Sequence, residues 1–108
     1  MASSSFQVTT YNYYSWSSRN TTRTNLNLKG SGGKVCFVNF KEDSVTDLPP
    51  ATNSGNYYWF YYRESQLEHL IDMLRNEGPV YVHFNDNSGF NNSRIATTDE
   101  PVGEGEIS

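Results

Sequence analysis

Two histidines, one cysteine and a scattered set of carboxylates are the side chains of this 108-residue sequence with ordinary catalytic capacity. His83 is the better placed histidine. In "PVYVHFND" it shares a strand parity with Tyr81 and Asn85, and Asp86 lies just beyond. A histidine held by a carboxylate serves as a general base. Cys36 with His83 would make a thiolate–imidazole pair for nucleophilic chemistry. A small hydrolase centred on His83 is therefore one expectation, and no motif reinforces it: the sequence has no GxSxG, no HExxH, no phosphate loop and no histidine pair at ligand spacing. His69, between Glu68 and Leu70, reads as a half-exposed boundary residue. A single cysteine excludes an intramolecular disulfide and a clustered thiolate site, and no cofactor or metal is expected. Within "KVCFVNF", Cys36 reads as a small buried hydrophobe.

Binding chemistry has more to work with. "YYWFYY", Tyr57 to Tyr62, places six aromatics in a row. On a strand, Tyr57, Trp59 and Tyr61 face one way and Tyr58, Phe60 and Tyr62 the other. The sequence holds one strong helix, and one helix shelters one face. The second set of rings, joined by whichever of Tyr11, Tyr13, Phe37 and Tyr81 share its side, is expected to form an exposed aromatic patch. Such patches mark ligand sites or subunit contacts, and rings with a polar tip are favoured at interfaces. The leading expectation is a small soluble non-enzymatic binding protein that self-associates through an aromatic-rich sheet face. Its partner is a second copy, in a homo-oligomer of two or more chains, or else a small-molecule or protein ligand. The candidate contact residues are Tyr57, Tyr58, Trp59, Tyr61, Tyr62, Trp16 and Tyr81.

A third chemistry is single-stranded nucleic acid, which needs cations for the backbone and rings for the bases. Arg19, Arg23, Lys29 and Lys34 on an N-terminal hairpin, beside Tyr11, Tyr13 and Trp16, supply both. The charges divide along the chain: residues 1–41 carry five basic residues and no acid, whereas 42–108 carry three basic and all 12 acidic residues, +5 against −9. The net charge of −4 opposes phosphate binding. Asn85, Asp86, Asn87, Asn91 and Asn92 offer amides to a sugar, yet an Asn- and Gly-rich stretch between strands is first of all a turn. "DNSGFNN" lacks the carboxylates of a calcium loop.

The elements that must position these residues follow from periodicity. "FQVTTYNYYSW" alternates as a strand, with Phe6, Val8, Tyr14 and Trp16 on one parity. "RNTTRTNLNLKG" alternates again, "GSGG" permits a turn, and "KVCFVNF" is apolar on both parities, as in a central strand covered on both sides. Residues 41–56 form a long polar loop with a double proline. After "YYWFYY", Ser65 and Glu68 make an S-x-x-E capping box. Leu67, Leu70, Ile71 and Leu74 then build a helical stripe, and Gly78 with Pro79 ends it, the glycine as a left-handed cap. "PVYVHFN" and "SRIATT" are the last strands. The expected fold is α+β: a single small domain over residues 1–98, mainly an antiparallel sheet of five to six strands with one amphipathic helix on one face. Residues 99–108, with four acids, two glycines and a proline, are expected to be an extended acidic tail.

Composition bounds the core. The hydrophobic fraction is 35%, and exchanging the 8 Tyr for the 8 Gly to match the usual counting leaves it at 35%, against ~45–50% in typical domains. Tyrosine must supply area that Leu and Ile supply elsewhere. "MASSSF" is polar and no run approaches the ~18 apolar residues of a membrane span, so the expectation is a soluble cytoplasmic protein with no membrane partner.

Overall fold

The computed structural model describes residues 3–18, 22–85 and 93–97. The expected acidic tail, the turn at 86–92 with Asp86, and Arg19 lie outside the described residues, as does the side chain of Arg23.

The fold is α+β, and the described residues form eight strands divided between two sheets and one α-helix. In chain order the strands are β1 (Ser3–Gln7), β2 (Thr10–Ser15), β3 (Thr22–Lys29), β4 (Val35–Lys41), β5 (Thr52–Ser54), β6 (Tyr57–Arg63), β7 (Val80–Asn85) and β8 (Arg94–Thr97). The helix α1 (Leu67–Asn76) continues a single 3-10 turn at Glu64–Gln66. A five-stranded sheet runs β2-β3-β4-β6-β5 and a three-stranded sheet runs β1-β7-β8. All neighbours are antiparallel except β4 and β6, which are parallel and in continuous register from Val35↔Tyr57 to Lys41↔Arg63.

The single strand expected over residues 6–16 breaks in two. The Val8 amide donates to the Val80 carbonyl of one sheet and the Thr9 amide to the Lys29 carbonyl of the other, both at 2.8 Å. Adjacent residues thus belong to different layers. Gly30 sits at this corner: a Cβ there would lie 2.4 Å from the Phe6 ring and 2.7 Å from the Gln7 carbonyl, so only glycine fits. The β3–β4 turn uses Gly32 and Gly33 at φ 74° and 79°, a conformation that side chains resist.

The core lies between the two sheets. Leu26, Leu28, Cys36, Val38, Phe40, Tyr58 and Phe60 fill it from the five-stranded sheet, and Phe6, Val80, Val82, Phe84 and Ile95 from the three-stranded sheet. The helix covers the remainder of the same face. Leu70 is its one buried residue, while Leu67, Ile71, Met73 and Leu74 pack partly against the cluster. A second sheet therefore shares the sheltering role that periodicity assigned to the helix alone.

The helix starts differently from the expected capping box. The Arg63 amide donates to Gln66 Oε1 at 2.9 Å, and the Ser65 amide donates to Asp43 Oδ1 at 3.1 Å. Ser65 is already inside the first turn, so its position as an N-cap is taken by the residue at the end of β6. At the other end, the Glu77 amide closes on the Met73 carbonyl at 3.0 Å. Gly78 does not take a left-handed conformation.

Candidate functional site

Strand alternation gives the five-stranded sheet an inner face toward the core and an outer face that neither the helix nor the second sheet covers. The register decides membership. Tyr58, Phe60 and Tyr62 pair with Cys36, Val38 and Phe40 and point inward; Tyr57, Trp59 and Tyr61 pair with Val35, Phe37 and Asn39 and point outward. Tyr14, Asn25, Asn27 and Lys29 share that outer side through the β2–β3–β4 registers.

On the outer face the rings form a continuous row. Phe37 stacks with Tyr57 at 6.0 Å and with Trp59 at 5.9 Å between centroids, with interplanar angles of 24° and 28°. Tyr57 is 49% exposed. Toward the β2 edge, Trp16 meets Tyr14 edge-on at 5.4 Å, and both are exposed. A chain of amides joins the two ring groups: Trp16 Nε1 donates to Asn25 Oδ1, Asn25 Nδ2 donates to Asn39 Oδ1, and Asn39 Nδ2 donates to the Phe37 carbonyl. This ladder fixes the Trp16 indole, which on an edge would otherwise rotate freely. Asn27 Oδ1 is enclosed on the same face without a hydrogen-bond partner.

Cations sit around this row. Lys41 Nζ lies 5.9 Å from the centre of the Tyr61 ring, a cation–π distance. Lys29 is exposed at the end of β3. Arg63 donates to the carbonyls of Asp43, Val45 and Thr46, which ties the 42–50 loop to the end of β6. Among the described residues the outer-face strand positions carry no carboxylate.

The seven aromatic candidates therefore fall in three places. Tyr57, Trp59, Tyr61 and Trp16 share the outer face, joined by Tyr14 and Phe37. Tyr58 is 2% exposed and inside, its hydroxyl 2.8 Å from Ser4 Oγ and its ring against Phe6 and Phe84. Tyr62 faces inward too, where burial pushes its hydroxyl pKa up to about 12, the Cys36 side chain adding to the rise and a hydrogen bond to the Ile95 backbone opposing it. Tyr81 belongs to the other sheet and stacks with His83 at 6.0 Å. Of the four rings named as recruits to the patch, only Phe37 joins it. Tyr11 and Tyr13 have the inner parity, paired with Leu28 and Leu26, and lie at the sheet edge beside the helix.

The catalytic candidates do not come together. Cys36 is fully buried in the core, and desolvation drives its thiol far above the ordinary range, so it holds its proton. His83 lies on the outward side of the three-stranded sheet, paired with Ser5 and Arg94, away from the core side where Val82 and Phe84 point. Partial burial, and then the charge of Arg94, lower its pKa. His69 is exposed on α1. No cluster of three or more metal-ligating side chains occurs among the described residues.

The amide ladder was missed by reading rings alone. Its signal was present, since Asn25, Asn27 and Asn39 occupy one parity of two strands whose other parity is Leu, Val and Phe. Polar residues alternating with apolar ones mark the side that does not face the core. Comparison of the chain with protein-family models, with curated proteins and with solved structures gives no match.

Proposed function

We propose that the protein is a non-catalytic binding module that self-associates through the outer face of its five-stranded sheet. The observation that carries this reading is the stacked row Tyr57, Phe37 and Trp59 on the face left uncovered by a complete core. Its arrangement has the anatomy of a protein interface: aromatic and uncharged amide groups at the centre, charge at the margin. Lys41 and Arg63 sit at the last position of the β4–β6 register, beyond the stacked rings, Lys41 over Tyr61 and Arg63 bonded to loop carbonyls. A twofold contact sets this face against itself and needs no other component.

The test is light scattering after size exclusion, over a range of concentrations, on the parent chain and on Trp59→Glu. A twofold contact brings the new carboxylate in twice, so the variant is expected to remain a monomer where the parent is a dimer or larger, with unchanged circular dichroism. A parent chain that stays monomeric at high micromolar concentration overturns the reading.

One observation favours a second reading. The outer face carries Lys29 and Lys41 and, among the described residues, no carboxylate, which suits the anionic backbone of a single strand whose bases stack on Tyr57, Phe37 and Trp59. Two phosphate contacts give a shallow salt slope, roughly −0.7 per phosphate in log–log form. Retention of oligonucleotides that weakens with salt and disappears in Lys29→Glu with Lys41→Glu supports this second ligand; retention unchanged by both substitutions removes it.

A further inference from the structure

A different surface of the molecule has the parts of a peptide groove. β2 is the outermost strand of its sheet, bonded to β3 on one side alone among the described residues. An edge strand turns alternate N–H and C=O groups outward, and natural proteins blunt such edges with charge, proline, bulges or short length. β2 has none of these: it is six residues long, reads TYNYYS, and pairs with β3 in unbroken register from Thr10 to Ser15. At ~3.3 Å per residue it offers roughly 20 Å of pairing edge.

α1 flanks this edge and leaves two hollows along it. Tyr13, Leu67 and Ile71 line the first, of about 310 Å³, with Glu68, Asp72 and Arg75 at its rim. Tyr11, Leu74 and Val80 line the second, of about 160 Å³, with Glu77 beside them. Tyr11 and Tyr13 are two residues apart on one side of β2, and each lines one of the hollows, so alternate positions along the edge open onto different hollows. Strand addition to a sheet edge works in this way, main-chain hydrogen bonds holding the peptide while pockets read every second side chain. The rims carry Glu68, Asp72 and Glu77 against one cation, Arg75.

We propose that the groove between the β2 edge and α1 binds an extended peptide as a sixth strand of the larger sheet, with apolar side chains at two alternate positions seated in the hollows and basic side chains next on the same side, meeting Glu68, Asp72 and Glu77. This surface is distinct from the outer aromatic face. The hollows open on the inner-parity side of β2, where Tyr11 and Tyr13 point, whereas Tyr14 and Trp16 point the other way.

The probe is the blocked peptide acetyl-Lys-Thr-Leu-Thr-Leu-Thr-Lys-amide, whose palindromic order presents Leu and Lys on one side in either strand direction. Binding is read by fluorescence anisotropy of a labelled copy and by amide NMR shifts of the full chain. Two further peptides carry N-methyl groups on all Thr amides or on all Leu amides. Expected are shifts concentrated at Thr10–Ser15 and at the α1 residues of the hollows. One N-methylated peptide should be weakened at least about tenfold and the other much less, because only alternate amides face β2. Glu68→Lys with Asp72→Lys should weaken the Lys peptide by about fivefold and improve a Glu-for-Lys copy. Absence of binding, equal binding of both N-methylated peptides, or shifts confined to the outer aromatic face would overturn the proposal. So would β2 amides already protected in a peptide-free dimer, which would give the edge to a second copy.

Discussion

Strand β6 lends three rings to each face of one sheet, and the two sets live in opposite environments. Tyr58 and Phe60 are each 2% exposed, under a second sheet and a helix; Tyr57, one residue away on the chain, is 49% exposed beside Trp59. Their chemistry is nearly identical and their backbone is shared. The difference comes from what the neighbouring strands place alongside. Inward, the rings meet Cys36, Val38 and Phe40 and the far layer; outward, they meet Phe37, Asn39 and Lys41. A face built from Leu and Val closes a core, and the opposite face, built from rings, amides and lysines, is the surface on which the proposed self-association rests.

Substitutions that treat the two faces alike test this contrast most strongly. Phe60→Ala is expected to cost about 3–5 kcal/mol in the unfolding free energy of the monomer, and Trp59→Ala to stay within about 1 kcal/mol. Urea unfolding at one low concentration measures both. Equal losses would make the outer row part of the core and end the comparison. Cys36→Ser comes next, at about 1–3 kcal/mol, since a hydroxyl replaces a buried thiol with no partner provided for it. In the parent, the same burial holds the thiol in its protonated form. A thiol reagent at neutral pH is therefore expected to label Cys36 only as fast as the chain opens.

How much of this was legible in the sequence depends on the level asked about. The alternation of β6 was plain, and so was the helical stripe of α1. Which parity of β6 faces inward was not, because both parities are aromatic. The answer sits on other strands: Leu26 and Leu28 alternate with Asn25, Asn27 and Lys29, and Val38 and Phe40 with Asn39 and Lys41. Using it requires knowing that β4 and β6 pair in parallel, a long-range choice that local pattern does not encode. The division of residues 6–16 between two sheets escaped for a related reason. Val8 and Thr9 are ordinary strand residues, and only the positions of Val80 and Lys29 send their amides to different layers. Ser65 and Glu68 match a capping box, yet Arg63 with Gln66 caps the chain two residues earlier because β6 runs straight into the first helical turn.

Smaller effects sharpen the contrast. Tyr58→Phe removes the hydroxyl that meets Ser4 and is expected to cost about 0.5–1.5 kcal/mol. Tyr57→Phe, on the open face, is expected to change unfolding by no more than experimental error. The weakest dependence is on pH. The pKa of His83 is lowered from 6.5 by partial burial and by Arg94. Unfolding therefore takes up a proton in the window below 6.5: the contribution is whole above that value and is lost as pH falls through the folded one. A shallow acid-side decline in stability is expected, and His83→Gln should flatten it.

The most direct test uses the fact that both tryptophans, Trp16 and Trp59, lie on the outer face, so tryptophan emission, excited at the red edge where tyrosine does not absorb, reports that surface. If the face closes on a second copy, acrylamide quenching should weaken and emission should shift to shorter wavelength as concentration rises, in step with the doubling of mass seen by light scattering. Mass that doubles while quenching stays constant, or quenching and mass that both stay at their dilute values, would contradict the account.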